Sequence, residues 1–231
     1  SFARRFRPGR SRGARSLTMA RNPRITLPVQ TKLGLISSYP ELETHLAEAE
    51  VQGRVWLIER AHDPSHAGKV PADFDILDLH VVMFGRVFES AGKTRTEDVG
   101  PGWKVPVHWT DVAAQLRNLG LDAAVRCPGD SASLADLAKF IAWFHHRFQF
   151  EHPFRDTNGR TGRVLDHYLL WVSFSLVGLD LAHSPQIEYF PTPAHEDAYY
   201  QGLDEADRGA VAKLEAFYVE RVSAAFGEPG D

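Results

Sequence analysis

The stretch His152-Pro153-Phe154-Arg155-Asp156-Thr157-Asn158-Gly159-Arg160-Thr161-Gly162-Arg163 gathers a base, a carboxylate, an amide, two glycines and three arginines. It lies between two strongly apolar segments, Leu134 to Phe150 and Val164 to Val177. Upstream, Leu134, Leu137, Ile141, Phe144 and Phe148 recur at three and four residue steps, and Ser133 with Asp136 reads as a capping box, so a helix is expected there. Downstream, Val164, Leu165, Tyr168, Leu169 and Val172 belong to a segment that is apolar almost all round, as a central buried helix is, stopping near Gly178. The polar cluster is therefore expected at the junction of two buried helices.

Working outward, the chain is mostly α. Ser38 followed by Pro40 and Glu41 is a helix start, and Leu42, Leu46, Ala49 and Trp56 keep helical spacing to about Ala61. Phe74, Leu77, Val81, Phe84 and Phe88 form a second amphipathic stripe, expected to end at Gly92. From Ala91 to Val107 short polar and β-branched runs alternate with Gly100, Pro101 and Gly102, the pattern of a small β-hairpin or flap. Asp111 to Leu119 reads as a short helix, and Pro193 to Ala206 and Ala210 to Phe226 as two more. No βαβ alternation appears.

Length and composition bound the function. A chain of 231 residues suits one domain. With 43% hydrophobic and 24% charged residues, and no uninterrupted apolar run of about 20 residues, no membrane role is expected. The single cysteine, Cys127, excludes an internal disulfide and a cysteine zinc cluster and suits a cytoplasmic setting. A net charge of −4 argues against a nucleic-acid footprint over the whole surface. Residues 1–25 differ: they hold eight arginines and no acid, the composition of a flexible basic arm, read first as a solvated tail and otherwise as a contact for nucleic acid or an acidic partner. The domain is expected over residues 26–231, with its core at about 40–225.

The chemistry of the loop follows from its residue types. His152 is the one side chain there that accepts a proton near neutral pH at its ordinary pKa, so it is the natural general base. Asp156 is a hard oxygen ligand of the kind Mg²⁺ combines with substrate phosphates. Asn158 and Gly159 precede a helix, where backbone amides favour an anion. Arg160 and Arg163, three apart, share a helix face and suit phosphate oxygens. Together these parts describe a base aimed at a metal-bound polyphosphate. His145, His146 and His167 lack the spacing of a known zinc cluster. His146 and Arg147 are expected to support the loop, and Trp103, Trp109, Trp143 and Trp171 to pack.

The string resembles the signature of Fic-domain proteins, His-Pro-Phe-x-Asp/Glu-Gly-Asn-Gly-Arg-x-x-Arg. The matching positions are His152, Pro153, Phe154, Asp156, Asn158, Gly159, Arg160 and Arg163. Phe88 to Arg95 is similar to the family's approach to its target-docking flap, and Tyr199 to Asp207 to a later helical segment. The resemblance implies a Fic-type helical domain with a small β-hairpin flap. It also implies AMPylation, the transfer of AMP from ATP to a hydroxyl of a target protein with release of pyrophosphate. His152 would deprotonate the hydroxyl and Asp156 would hold Mg²⁺ or Mn²⁺. Asn158, Gly159 and Arg160, with Thr157 beside them, would cradle the inner phosphates, and Arg163 would reach the outer ones. Gly92, Lys93, Thr94, Arg95 and Thr96 would dock the target segment by strand addition. The expected partners are a target protein, and an antitoxin or a second copy of the chain.

One position departs from the pattern: Thr157 stands where the family has glycine. If that position needs φ > 0, a β-branched residue costs roughly 1 to 3 kcal/mol; otherwise its hydroxyl adds a phosphate or metal-water contact. A weakly catalytic nucleotide- or partner-binding module, or transfer of another nucleotide-derived group, is the alternative function. The resemblance also implies a restraining helix of the form Ser/Thr-x-x-x-Glu-Gly/Asn. Thr44 to Glu48 gives the first five positions, followed by Ala49, which leaves two readings of Glu48: an inhibitory partner of Arg163, or one more solvated acid on a helix with Glu41, Glu43 and Glu50.

Overall fold

Two apolar helices meeting at a polar turn form the centre of the structure, a computed structural model that describes residues 27–63, 65, 70–98, 107–129, 132–175 and 185–227. The basic arm, Trp103, Gly178 and residues 99–106 of the expected hairpin lie outside these residues. Helix α4, Leu134–Glu151, opens on the expected capping box: the Ser133 hydroxyl accepts from the Asp136 N–H at 3.2 Å and the Asp136 carboxylate accepts from the Ser133 N–H at 3.1 Å. Helix α5, Asn158–Ser175, takes in Asn158 and Gly159, expected just before it, so the end of the polar loop is itself the helix's first turn. From Val164 to Val172 α5 is buried almost throughout.

The helices α1 (Tyr39–His62) and α2 (Asp73–Phe84) cover one side of α5, and α4 covers another. Ser38 caps α1, accepting from the Glu41 N–H at 3.4 Å, with Pro40 in the first turn. Leu42, Leu46, Ala49 and Leu57 turn inward. The stripe also includes Gly53, where an added Cβ would stand 2.6 Å from Met83 Cγ; the glycine lets α1 and α2 approach closely. Gly162 does the same between α5 and α4, since its Cβ would meet Gln149 Nε2 at 2.6 Å. Helix α3 (Val112–Arg126) packs on α4, as does α7 (Ala212–Ala225), and α6 (Pro193–Ala206) packs on α7.

The helical architecture is as expected, with boundary differences. Helix α2 stops at Phe84, where Gly85 caps it, and a series of turns carries the chain to Gly92. Helix α3 runs past Leu119 to Arg126 because Leu119 and Ala123 continue its buried stripe. Among the described residues the small β element is found before α1. Residues 91–98 contain no strand, and residues 99–106 fall outside the described ones. The two-stranded antiparallel sheet comes before α1, pairing Val29 with Ile36 and Thr31 with Gly34. Its turn is closed by the Thr31 hydroxyl, which donates to the Gly34 carbonyl at 2.8 Å and accepts from the Leu33 N–H at 3.1 Å.

Candidate active site

The loop between α4 and α5 is shaped by two left-handed residues. His152 terminates α4 at φ 47°, its N–H bonded to the Phe148 carbonyl at 3.0 Å. Thr157 precedes α5 at φ 64°. The conformation that favours glycine is therefore present at the departing position, and threonine adopts it. Between these residues Phe154 is buried at 1% exposure. Asn158 closes the loop upon it: its Oδ1 accepts from the Phe154 N–H at 2.9 Å and its Nδ2 donates to the Phe154 carbonyl at 2.8 Å. The Asn158 side chain is thus committed to loop shape, and its contribution to an anion is through the main chain. A Cβ at Gly159 would meet only the Arg163 guanidinium, at 3.5 Å. Protein packing does not require that glycine, which leaves open space beside the N-terminus of α5.

Three side chains outside the loop hold it. Gln149 donates to the Asn158 carbonyl at 3.1 Å. Arg95 has its side chain wholly buried. Its Nε donates to the His152 carbonyl at 2.8 Å, its Nη2 to the Glu151 carbonyl at 3.3 Å and to the Val107 carbonyl, and its Nη1 to the Glu97 carbonyl at 3.1 Å. Its own N–H bonds to the Pro153 carbonyl at 2.9 Å. His80 of α2 stacks on Phe154 with centroids 3.6 Å apart and reaches Thr157. Burial pushes its pKa down to about 3, against the opposing effect of the Asp156 carbonyl, so it is neutral.

Of the expected flap, Gly92 and Arg95 therefore point inward. Gly92, at φ 75°, leaves no room for a side chain against Val81, and Arg95 joins the flap to the loop rather than to a target. Lys93 and Thr96 are exposed and Thr94 is half-buried. His146 pairs with Asp207, at 3.0 Å, and Arg147 with Glu151, at 3.4 Å. His146 thus braces the end of α6. Trp143 and Trp171 pack, whereas Trp109 is 40% exposed.

The arginines meet acids other than the candidate Glu48, which fits the solvated reading. Glu48 is 63% exposed and its carboxylate lies 3.7 Å from His45; it does not pair with Arg163. Two residues on, Glu50 lies 2.6 Å from Arg160 Nη1 and 3.7 Å from Arg163 Nη2, and Glu43 bonds Arg160 Nη2. Glu43 and Glu50 are seven residues apart, hence on one face of α1, while Glu48 is turned some 200° away from Glu50 at about 100° per residue. The motif's imperfect ending after Glu48 was the available warning, and the seven-residue spacing was the available signal.

Arg163 stands against aromatic rings, its guanidinium 5.5 Å from the Phe190 centroid and 5.9 Å from that of Tyr189. Its carbonyl accepts from His167 Nδ1 at 2.7 Å, a tautomer set by the Ile187 N–H bonding Nε2 at 3.1 Å. Beneath it, Asp166 accepts from the hydroxyls of Tyr189 and Tyr218, both at 2.8 Å, and lies 2.7 Å from His145 Nδ1. His145 is thereby part of a buried network that fixes α5.

The donor set for a metal is the single carboxylate of Asp156, on the half-exposed part of the loop. Among the described residues no group of three or more His, Cys, Asp or Glu side chains is placed to hold a metal. One carboxylate beside an anion site fits Mg²⁺, which takes its remaining ligands from phosphate and water; it does not fit zinc. Nor, among the described residues, is any helix long and apolar enough to cross a membrane.

Comparisons with known proteins find a family match across the loop and the same fold in solved structures. Residues 73–170 match the model of the Fic/DOC family. Among solved structures, the N-terminal Fic domain of a cell filamentation protein from Bartonella quintana, with bound ADP, superposes with a TM-score of 0.65 at 17% identity, over 86% of this chain and 92% of that one. BepC of Bartonella tribocorum, with bound AMPPNP, gives 0.63 at 17% identity, over 86% and 93%. Fic-1 of C. elegans gives 0.59 at 20% identity, over 80% of this chain, which spans half the length of that one. The matched segment runs from α2 through the flap base and the whole loop into α5, and over it the chain is similar to the Fic/DOC family.

Proposed function

We propose that this protein transfers AMP from ATP to a side-chain hydroxyl of a target protein, releasing pyrophosphate. The observation that carries the reading is the occupation of the loop's arginines: Glu50 and Glu43 sit on Arg160, and Glu50 also approaches Arg163. Carboxylates stand where phosphate oxygens would bind, on guanidinium groups suited to both. The Bartonella domains with bound ADP and AMPPNP have the same fold, which supports a nucleotide at this position.

In the reaction, His152 takes the proton of the target hydroxyl, whose oxygen forms a bond to the α-phosphorus. The bond from that phosphorus to the bridging oxygen of the β-phosphate breaks, and pyrophosphate leaves with the electron pair. Arg160, the amides at the start of α5 and Arg163 hold the phosphate charge in a fixed polar frame. Mg²⁺, held by Asp156, would neutralise charge on the phosphates. Lys93, Thr94 and Thr96, on the open side of the flap, would meet the target chain.

Incubation with α-labelled ATP and Mg²⁺ tests this. Label is expected on protein with Glu50→Gly and is expected to fall by about 10² to 10⁴ when His152→Ala is added, the range for loss of a general base. ATP binding without label in Glu50→Gly would reject the transferase and leave a binding module.

A further inference from the structure

We propose that His80 is a positioning residue that locks the anion loop to the base of the flap through Thr157. The inference rests on the reading of residues 152–163 as a phosphate site, and it assigns a role to a residue two helices away in sequence. The geometry forms one directed chain. The Gly92 N–H donates to His80 Nδ1 at 2.9 Å. An accepting Nδ1 leaves the proton on Nε2, which therefore donates to the Thr157 hydroxyl at 3.0 Å. That hydroxyl donates onward to the Asp156 carbonyl at 2.6 Å. Nε2 also lies 3.5 Å from the Asp156 carbonyl, the longer of its two contacts.

The ring is also held in place from its faces. His80 is 2% exposed, stacks on Phe154 with 20° between planes, and tilts against Phe84 at 5.0 Å. Phe154 is in turn the residue on which Asn158 closes. The imidazole thus touches both the packing centre of the loop and its left-handed residue.

This accounts for threonine at position 157. At φ 64° the position suits glycine, which has no side chain to receive the His80 proton. Threonine fills that bond, so its hydroxyl faces α2 and the Asp156 carbonyl rather than a phosphate. His80 and Thr157 form a matched pair, and displacement of the flap base at Gly92 is transmitted to the backbone that presents Asp156 and the start of α5.

The two ends of the lock can be cut separately. His80→Asn keeps an acceptor at the Nδ1 position for Gly92 and loses the donor to Thr157; His80→Gln keeps the donor and loses the acceptor. Amide hydrogen exchange of the full chain without nucleotide is expected to quicken over residues 156–161 in His80→Asn and at Gly92 in His80→Gln. Calorimetric affinity for ATP with Mg²⁺ is expected to weaken about three- to tenfold in His80→Asn and in Thr157→Ala, the worth of one hydrogen bond. It is expected to stay within about twofold of wild type in Thr157→Ser, and His80→Asn is expected to add less than about twofold to Thr157→Ala. Should the His80 variants fail to fold, the contrast between Thr157→Ala and Thr157→Ser decides alone. Equal effects of Asn and Gln at position 80, or of Ala and Ser at 157, overturn the lock. Absence of ATP binding in both wild type and Glu50→Gly would instead reject the phosphate-site reading, and the exchange pattern would still judge the lock.

Discussion

Glu151 stands immediately before the proposed base, with no exposed surface and with its Oε2 lacking a hydrogen-bond partner. Burial raises its pKa from 4.5 to about 8; Arg147 opposes the rise and Asp122 adds to it. A pKa raised on folding means that the native state holds a proton the unfolded chain has released. The associated stability is full below about pH 4.5 and is lost as pH rises towards 8, a decline on the order of a few kcal/mol. Denaturant unfolding between about pH 5 and pH 8 should show it, and Glu151→Gln should flatten it, because an amide has no proton to lose. Arg95 is the complementary case, a buried cation whose partners are mostly carbonyls. Arg95→Met is expected to cost about 2 to 4 kcal/mol by stranding those acceptors. Arg95→Lys should recover only part, since an ammonium lacks the planar fork; thermal unfolding of both variants checks this. The loop residues were legible one by one because their chemistry is in their type. The roles of His80 and Arg95 were not, because a burial-dependent hydrogen bond between residues some 60 to 80 positions apart leaves no local pattern. A faint signal existed for His80, which interrupts the buried face formed by Ile76, Leu79, Met83 and Phe84.

At the scale of the element, α1 is both a structural helix and the bearer of the two acids. Its existence was legible from a cap, a proline and an apolar stripe, all of which act within one or two turns. Which glutamate faced the arginines depended on the rotation of α1 about its own axis over α5, and that is set by Leu42, Leu46, Ala49 and Gly53 packing inward. The candidate Glu48 follows the family spacing; Glu50 follows the packing. The consequence can be separated by two substitutions. Glu50→Gly is expected to raise affinity for ATP with Mg²⁺ by about 5- to 150-fold, the range of a typical coupling free energy, and Glu48→Gly to leave it unchanged. Isothermal titration calorimetry reads both, and a Glu48 effect equal to that of Glu50 would return the restraint to Glu48. Glu43, more exposed at 54%, should contribute less, and its share should fade first with added salt.

For the whole molecule the question is whether the restraint and the fold are the same interaction. Helix α1 covers α2 and α5 with an apolar stripe, and it presents its acids from a neighbouring face to the start of α5. Burial of Leu46, at 3% exposure, supports a cost of about 2 to 5 kcal/mol for Leu46→Ala, from lost transfer energy and the cavity left behind. The ion pairs are partly open to solvent, with Arg160 and Glu50 each 19% exposed, so Glu50→Ala should change global stability by less than about 1 kcal/mol. If the two functions are separable, Glu50→Ala will bind ATP more tightly with little change in unfolding midpoint. Leu46→Ala will unfold much earlier, without a matching gain in affinity measured well below its transition. Parallel changes in both quantities for both variants would mean that the site is released only when α1 leaves its seat, and that the carboxylates are incidental to the restraint. The geometry favours separation, because the stripe that seats α1 and the carboxylates that cover the arginines lie on different faces of one helix.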